Sequence, residues 1–225
     1  MSEYNVLDLF AGLGGFSQAF GESDRWCVTT VELDATFNPD IQADMLELTP
    51  GDLPDADVIL AGHPCTMFST AGNHDEWDMD AKEPTGDRAK RHVAMLFHTL
   101  GLIKALSPSY WYLENPRLSR VRWLIGPPDE WVSYCQYGRP YQKNTGLWGD
   151  HAPGMTYRKC RGPGASCHEA NVADDGTAAC APMSTDHAER SKVPYQLSAA
   201  IRDACERALD GEAPRDTTVD EWVNA

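Results

Sequence analysis

The first turn after the first strand constrains this chain most. Residues 4–10, YNVLDLF, are β-branched and aromatic, and they run directly into AGLGG and then an apolar helical stretch, FSQAFGE. A strand passing through glycines into a helix opens a nucleotide-binding α/β unit, in which the chain's backbone approaches a ligand closely at a helix N-terminus. The motif is neither the dinucleotide GxGxxG nor a P-loop, since no Gly-Lys-Ser/Thr follows.

The pattern continues in the same sense. A second strand is expected over 27–33, ending on Glu32, and a third near 41–43, ending at Asp44. The fourth, DVILAGH at 57–63, is an almost unbroken apolar run, as a parallel strand buried on both faces requires. Residues 72–90 read as a long polar loop, RHVAMLFHTLGLIKAL as an amphipathic helix ending before Pro108, and SYWYLEN (109–115) as a strand. Alternation of this kind predicts an α/β fold with a mostly parallel sheet covered by helices on both faces. Residues 131–148 hold two strand-like stretches around Tyr134 and Leu147, 149–188 show little periodicity, and VPYQLSAAIRDACERAL restores a helical face.

Three short motifs carry chemistry. In DLFAGLGGF (8–16), followed about 20 residues on by Glu32, a carboxylate at the second strand end can take both hydroxyls of a ribose. In AGHPCTMFS (61–69), Cys65 follows a proline just past a buried strand, where a thiol can act as a nucleophile or rest as a small buried hydrophobe. In WYLENP (111–116), an apolar strand delivers Glu114 to the same edge, where burial would raise its pKa and let it donate a proton.

In this order the motifs resemble the cytosine-5 DNA methyltransferases: DLFAGLGG, VELD, PC followed by FS, and EN after an apolar strand. The resemblance covers 4–116, resumes at 137–148 and returns at 190–205. It implies a Rossmann-like methyltransferase sheet, S-adenosylmethionine (SAM) as cofactor and double-stranded DNA as substrate. It also implies that Cys65 adds to carbon 6 of a flipped cytosine, making carbon 5 nucleophilic, while Glu114 holds ring nitrogen 3. Carried over to matching positions, Phe10, Gly12, Leu13 and Gly15 would line the cofactor pocket. Glu32 would take the ribose, Leu33 a face of the adenine, Asp44 with its neighbour Met45 the adenine edge, and Pro64 the wall beside the thiol. RSKVPYQL (190–197) matches the closing motif GNxVP, with Ser191 where the family has Asn.

Two departures stand out. The two arginines that follow the Tyr-Gly-x-Pro turn in this family are Lys143 and Thr145 in YGRPYQKNTGLW, and ENP replaces ENV. These are features similar to a phage- and prophage-borne branch. The target-recognition region is also reduced. The expected layout is a SAM-binding catalytic domain over 1–148 and 189–210, a small recognition insert over 149–188, and an acidic tail from 211 to 225. A partner protein could then complete target recognition, in the restriction–modification setting that the resemblance implies. The short insert also leaves alkylation of a free pyrimidine nucleotide open as an alternative, and a catalytically decayed DNA-binding protein as a non-enzymatic one.

Seven cysteines argue for thiols or ligands rather than a disulfide framework. No metal is expected, because Cys-x6-Cys-His-x11-Cys is not a standard zinc spacing; if a metal were held, Cys160, Cys167, His168 and Cys180 would be its ligands. The start MSEYNVLDLF lacks a signal peptide and no run spans a bilayer, so a cytoplasmic protein with no membrane partner is expected.

Charge alone opposes DNA: 34 acidic residues against 19 basic ones give a net charge of −15. Of the 19 cations 13 are Arg, and Asp outnumbers Glu by 21 to 13, a balance that fits adaptation to high salt and a haloarchaeal or haloviral setting. Arg117, Arg120, Arg122, Arg139, Lys143, Arg158, Lys159 and Arg161 crowd one segment and are the expected DNA face.

Overall fold

In β1 (Tyr4–Leu9) successive side chains point to opposite sides, and both sides are buried: Val6 enters one apolar cluster, Leu7 and Leu9 the other. A computed structural model describes residues 2–70, 74–162, 165–172, 178–180 and 187–212. After a single turn of helix α1 (Gln18–Gly21) come β2 (Trp26–Glu32), β3 (Ile41–Gln42) and β4 (Val58–Ala61). A hairpin of two-residue strands, β5 (Trp77–Asp78) and β6 (Glu83–Pro84), leads to α2 (Asp87–Leu106), β7 (Tyr110–Pro116) and α3 (Val121–Ile125). Then follow β8 (Glu130–Ser133), β9 (Asn144–Trp148), the ribbon β10 (Ala170–Val172) and β11 (Ala178–Cys180), and helices α4 (His187–Ser191) and α5 (Tyr195–Leu209).

The main sheet runs β3-β2-β1-β4-β7-β9-β8. The first five strands are mutually parallel; β9 is antiparallel to both of its neighbours. Buried residues of α5 (Leu197, Ile201, Ala204, Cys205) cover the face with Val6, Val58 and Leu60, and those of α2 (Leu96, Leu102, Ile103) cover the face with Leu7, Ile59 and Ala61. The mostly parallel α/β sheet with helices on both faces is therefore present. Chain order reverses between β1 and β4, which opens a crevice at their carboxyl ends.

Three local expectations need correction. The stretch around Tyr134 is not strand throughout, because β8 stops at Ser133 and Tyr134–Tyr137 form a 3-10 turn ending at Gly138 with φ 88°. FSQAFGE forms only one helical turn. The described part of 72–90 is not a bare polar loop. Trp77 is buried and donates its indole N–H to the Met67 carbonyl (2.9 Å), and Glu76 accepts from Ala89 N (3.2 Å) and Arg88 Nε (2.7 Å). A carboxylate bonding first-turn N–H groups extends α2 back to Asp87, which apolar periodicity alone does not reveal.

Residues 150–160 have little regular structure yet join the α5 side of the core, through Ala152, Met155 and Tyr157. Backbone bonds from Trp111 N to Asp150 O (2.9 Å) and from Ser133 N to Arg158 O (3.0 Å) hold them there. Residues 71–73, 163–164, 173–177, 181–186 and 213–225, parts of the expected loop, recognition insert and acidic tail, lie outside the described residues. No described helix is long and apolar enough to cross a membrane.

Candidate active site

The β1 turn shapes the floor of the crevice. Gly12 and Gly14 have φ of 50° and 67°, and Phe10 takes φ 62°, a conformation costing a non-glycine residue about 1–2 kcal/mol. Phe10 thereby places its ring 5.0 Å from that of His63. Gly15 is required by close approach. A Cβ there would lie 2.8 Å from Val193 N, so only glycine lets the 191–193 segment close over the turn.

Glu32 is aimed by its surroundings. It accepts from Gly12 N (3.0 Å) through one oxygen and from Leu33 N (2.8 Å) and Asp34 N (3.2 Å) through the other. The carboxylate is held by backbone donors and still borders a cavity of about 410 Å³. Phe10, Gly12, Leu13, Gly15, Pro64 and Ser191 share that cavity wall with Cys65, Glu114 and Lys143. Leu33, Asp44 and Met45 line an adjoining cavity of about 210 Å³, which shares Phe10, Glu32 and Pro64 with the first. Leu33 is 60% exposed and offers that cavity an apolar platform. Asp44 accepts from Leu46 N (3.1 Å) and pairs with Arg91.

The Glu114 end is assembled from distant segments. Glu114, buried as expected at the end of β7, accepts a hydrogen bond from the Tyr134 hydroxyl (2.9 Å) and lies 3.5 Å from Lys143 Nζ. Lys143 also donates to the Arg190 carbonyl (3.2 Å) and sits 4.5 Å from the Tyr134 ring centre. Half-buried Cys65 has its thiol pKa raised, first by desolvation and then by the Glu114 charge, with Lys143 and Arg190 opposing. At neutral pH it rests as the protonated thiol. Thr145 does not reach either cavity wall; it is fully buried in β9 opposite Pro116, beside the Tyr134 hydroxyl.

Sequence reasoning passed over several residues at this site. Tyr134 sat in a stretch read only as strand. His63 lies inside the quoted AGHPC motif and lines the larger cavity; burial and the neighbouring His92 push its pKa down to about 3, so its ring is neutral. Its Nδ1 faces the Pro64 carbonyl at 3.3 Å, which makes Nδ1 the protonated nitrogen. Asn115, also within a quoted motif, donates to the His63 carbonyl (2.8 Å) and ties the end of β7 to the thiol loop. Arg120 is corrected outright as a DNA contact. It is wholly buried and donates to the Met67 and Ser69 carbonyls (3.3 and 2.5 Å), bracing the loop behind Cys65.

A family model described as C-5 cytosine-specific DNA methylase matches residues 4–119. The chain belongs to that family. The matched part holds the β1 turn, Glu32, Asp44, Cys65 and Glu114, and stops short of Tyr134, Lys143 and the 191–193 segment. Among curated relatives, the chain is 32% identical over 125 residues to the type II methyltransferase M.HaeII of Haemophilus aegyptius, an alignment covering 51% of this chain and 35% of that protein. It is 33% identical over 132 residues to M.Bsp6I of Bacillus sp. (strain RFL6), covering 54% and 37%, and 32% identical over 125 residues to M.DdeI of Desulfomicrobium norvegicum, covering 49% and 27%. The match thus spans roughly a third of each relative. A solved Entamoeba histolytica methyltransferase superposes with a TM-score of 0.48 at 11% identity, over 76% of this chain and 59% of that one.

Proposed function

We propose that this family member is a SAM-dependent DNA (cytosine-5)-methyltransferase. The observation that carries the reading is that one cavity is lined by Cys65 and Glu114 together with the Glu32 carboxylate. A nucleoside bearing an amino-acid side chain suits the two adjoining cavities, whose sizes fall within or near the range of small-molecule sites. Glu32, fixed by three backbone N–H groups, would hold the ribose hydroxyls; Leu33 would carry the adenine face, and Asp44 with Met45 its edge. Phe10, Gly12, Leu13, Gly15, Pro64 and Ser191 would enclose the remainder. Bound there, SAM supplies an electrophilic methyl group for carbon 5.

The chain's own residues do the rest. Cys65 gives its thiol proton to solvent, Sγ bonds to carbon 6 of a cytosine turned out of the duplex, and the ring becomes an enamine with electron density at carbon 5. Glu114 hydrogen-bonds ring nitrogen 3 and relays a proton to it from solvent during addition, while Tyr134 fixes that carboxyl group in place. Lys143 sits at the family's arginine position and faces both Glu114 and the thiol with positive charge. Thr145 would act only through Tyr134. After methylation water takes the carbon 5 proton and the Sγ–carbon 6 bond breaks; nitrogen 3 gives its proton back through Glu114 and the thiolate takes one from solvent, which restores the thiol and the aromatic ring.

In this reading 1–148 and 189–210 would form the catalytic body and 149–188 the recognition insert, and double-stranded DNA would meet exposed Arg122, Arg158, Lys159 and Arg161. Given so short an insert, a partner protein would complete target recognition, and salt would screen the −15 charge. Tritiated SAM with DNA should label cytosine, and a 5-fluorocytosine oligonucleotide should trap an adduct that Cys65→Ser does not form. Labelling of dCMP but not DNA would replace the polymer with a free nucleotide; full activity in Cys65→Ser would overturn the mechanism.

A further inference from the structure

Away from the cavity, Cys135, Cys160, Cys167 and His168 bring their ligand atoms within 4.8 Å of one another. Cys167 Sγ lies 3.4 Å from Cys160 Sγ and 3.7 Å from Cys135 Sγ. His168 Nδ1 lies 3.4 Å from Cys167 Sγ and 3.7 Å from Cys160 Sγ. A tetrahedral zinc ion with Zn–S near 2.3 Å and Zn–N near 2.0 Å demands S···S separations of about 3.8 Å and S···N of about 3.5 Å. These four separations lie within about 0.4 Å of that demand, and the cysteines are free rather than paired in a disulfide, whose S–S bond is about 2.0 Å. The Gly162 amide also donates to Cys160 Sγ (3.3 Å), as backbone amides do toward metal-bound thiolates.

We propose that these four residues form a structural Cys3His zinc site. Cys135, in the turn after β8 and 25 residues before Cys160, takes the fourth position, where spacing alone pointed to Cys180; the Cys180 side chain lies outside the described residues. Binding releases one proton from each of three thiols to solvent and leaves a complex of net charge −1. The ion pins Cys160, Cys167 and His168 onto the 133–140 segment, which two bonds bracket: Cys160 N to Ser133 Oγ (3.0 Å) and Glu169 N to Pro140 O (3.0 Å). A stretch with too little core to hold itself thereby gains a staple. Tyr134, which holds Glu114, is next in sequence to a ligand, so the staple also supports the Glu114 end of the cavity.

The inference stands independently of the proposed methylation, since metal content and spectra read it without DNA or SAM. The full chain, purified under reducing conditions without added metal, should contain about one zinc per molecule by elemental analysis. Cobalt exchanged into it should show the intense visible bands of tetrahedral thiolate coordination. Cys160→Ser and Cys135→Ala should each lower zinc content at least tenfold, whereas Cys27→Ser, at an exposed position on β2, should keep it. Should the ligand variants fail to fold, chelation of the unmodified chain carries the test: three further thiols should become titratable, and zinc should protect them again. A reduced chain that holds no zinc and gives no tetrahedral cobalt spectrum overturns the proposal, as does retention of full zinc by both ligand variants.

Discussion

The two ends of the cavity are built in different ways. At the Glu32 end, Glu32 is fixed by the amides of Gly12, Leu33 and Asp34, and Asp44 by that of Leu46, so short motifs and local backbone bonds shape the pocket. At the Glu114 end, Glu114, Tyr134, Lys143 and Arg190 come from four separate segments and meet only through side chains and one carbonyl. The first end resists single side-chain changes outside its motifs. The second depends on each of its distant partners, because a buried polar network is only as sound as its weakest contact.

Mutations at the two ends should therefore separate kinetically. Glu114→Gln should lower methylation by about 10³-fold while SAM affinity changes less than about twofold, measured by single-turnover labelling and calorimetry. Equal losses in both would merge the two ends into one unit. Gly15→Ala should do the reverse and weaken SAM about 100-fold, because its Cβ would lie 2.8 Å from Val193 N and displace the closing segment. Tyr134→Phe, which deletes one neutral donor to Glu114, should cost about tenfold in rate at unchanged SAM affinity.

The smallest effect concerns the thiol itself. Its pKa is raised, so the thiolate fraction grows with pH, and iodoacetamide labelling of Cys65 should climb from neutral into alkaline pH without a plateau near 7. Lys143→Gln removes a charge that lowers this pKa and should slow labelling at pH 8 by about threefold, read by mass spectrometry of the Cys65 peptide. Faster labelling in that variant would mean that Lys143 shields the thiol rather than favouring its ionisation.

How much was legible follows the same division. Strands β1, β4 and β7 could be read because their apolar runs are largely buried on both faces, and β2 from its β-branched run although much of it is half-exposed; Glu32, Cys65 and Glu114 stand near strand ends, where chain position alone gives spatial position. Tyr134 could not be read as a partner of Glu114, since nothing local marks a tyrosine 20 residues away as a hydrogen-bond donor. Glu76 read as one more loop acid and is instead the acceptor that starts α2. Arg120 counted toward a basic surface, but tertiary packing buried its guanidinium against backbone carbonyls.

The sequence by itself determined the sheet's parallel core, the edge at which a ligand must sit, and the family, because periodicity and short motifs act over a few neighbouring residues. Only the tertiary structure decided which residues support the reactive ones. It brought Tyr134 and Lys143 to Glu114, left Thr145 behind the wall, and set Cys135 beside Cys160, Cys167 and His168. Those contacts join residues far apart in the chain, and each is fixed by how the β8–β9 region and the loop after Asp150 pack on the sheet. No local pattern encodes that packing.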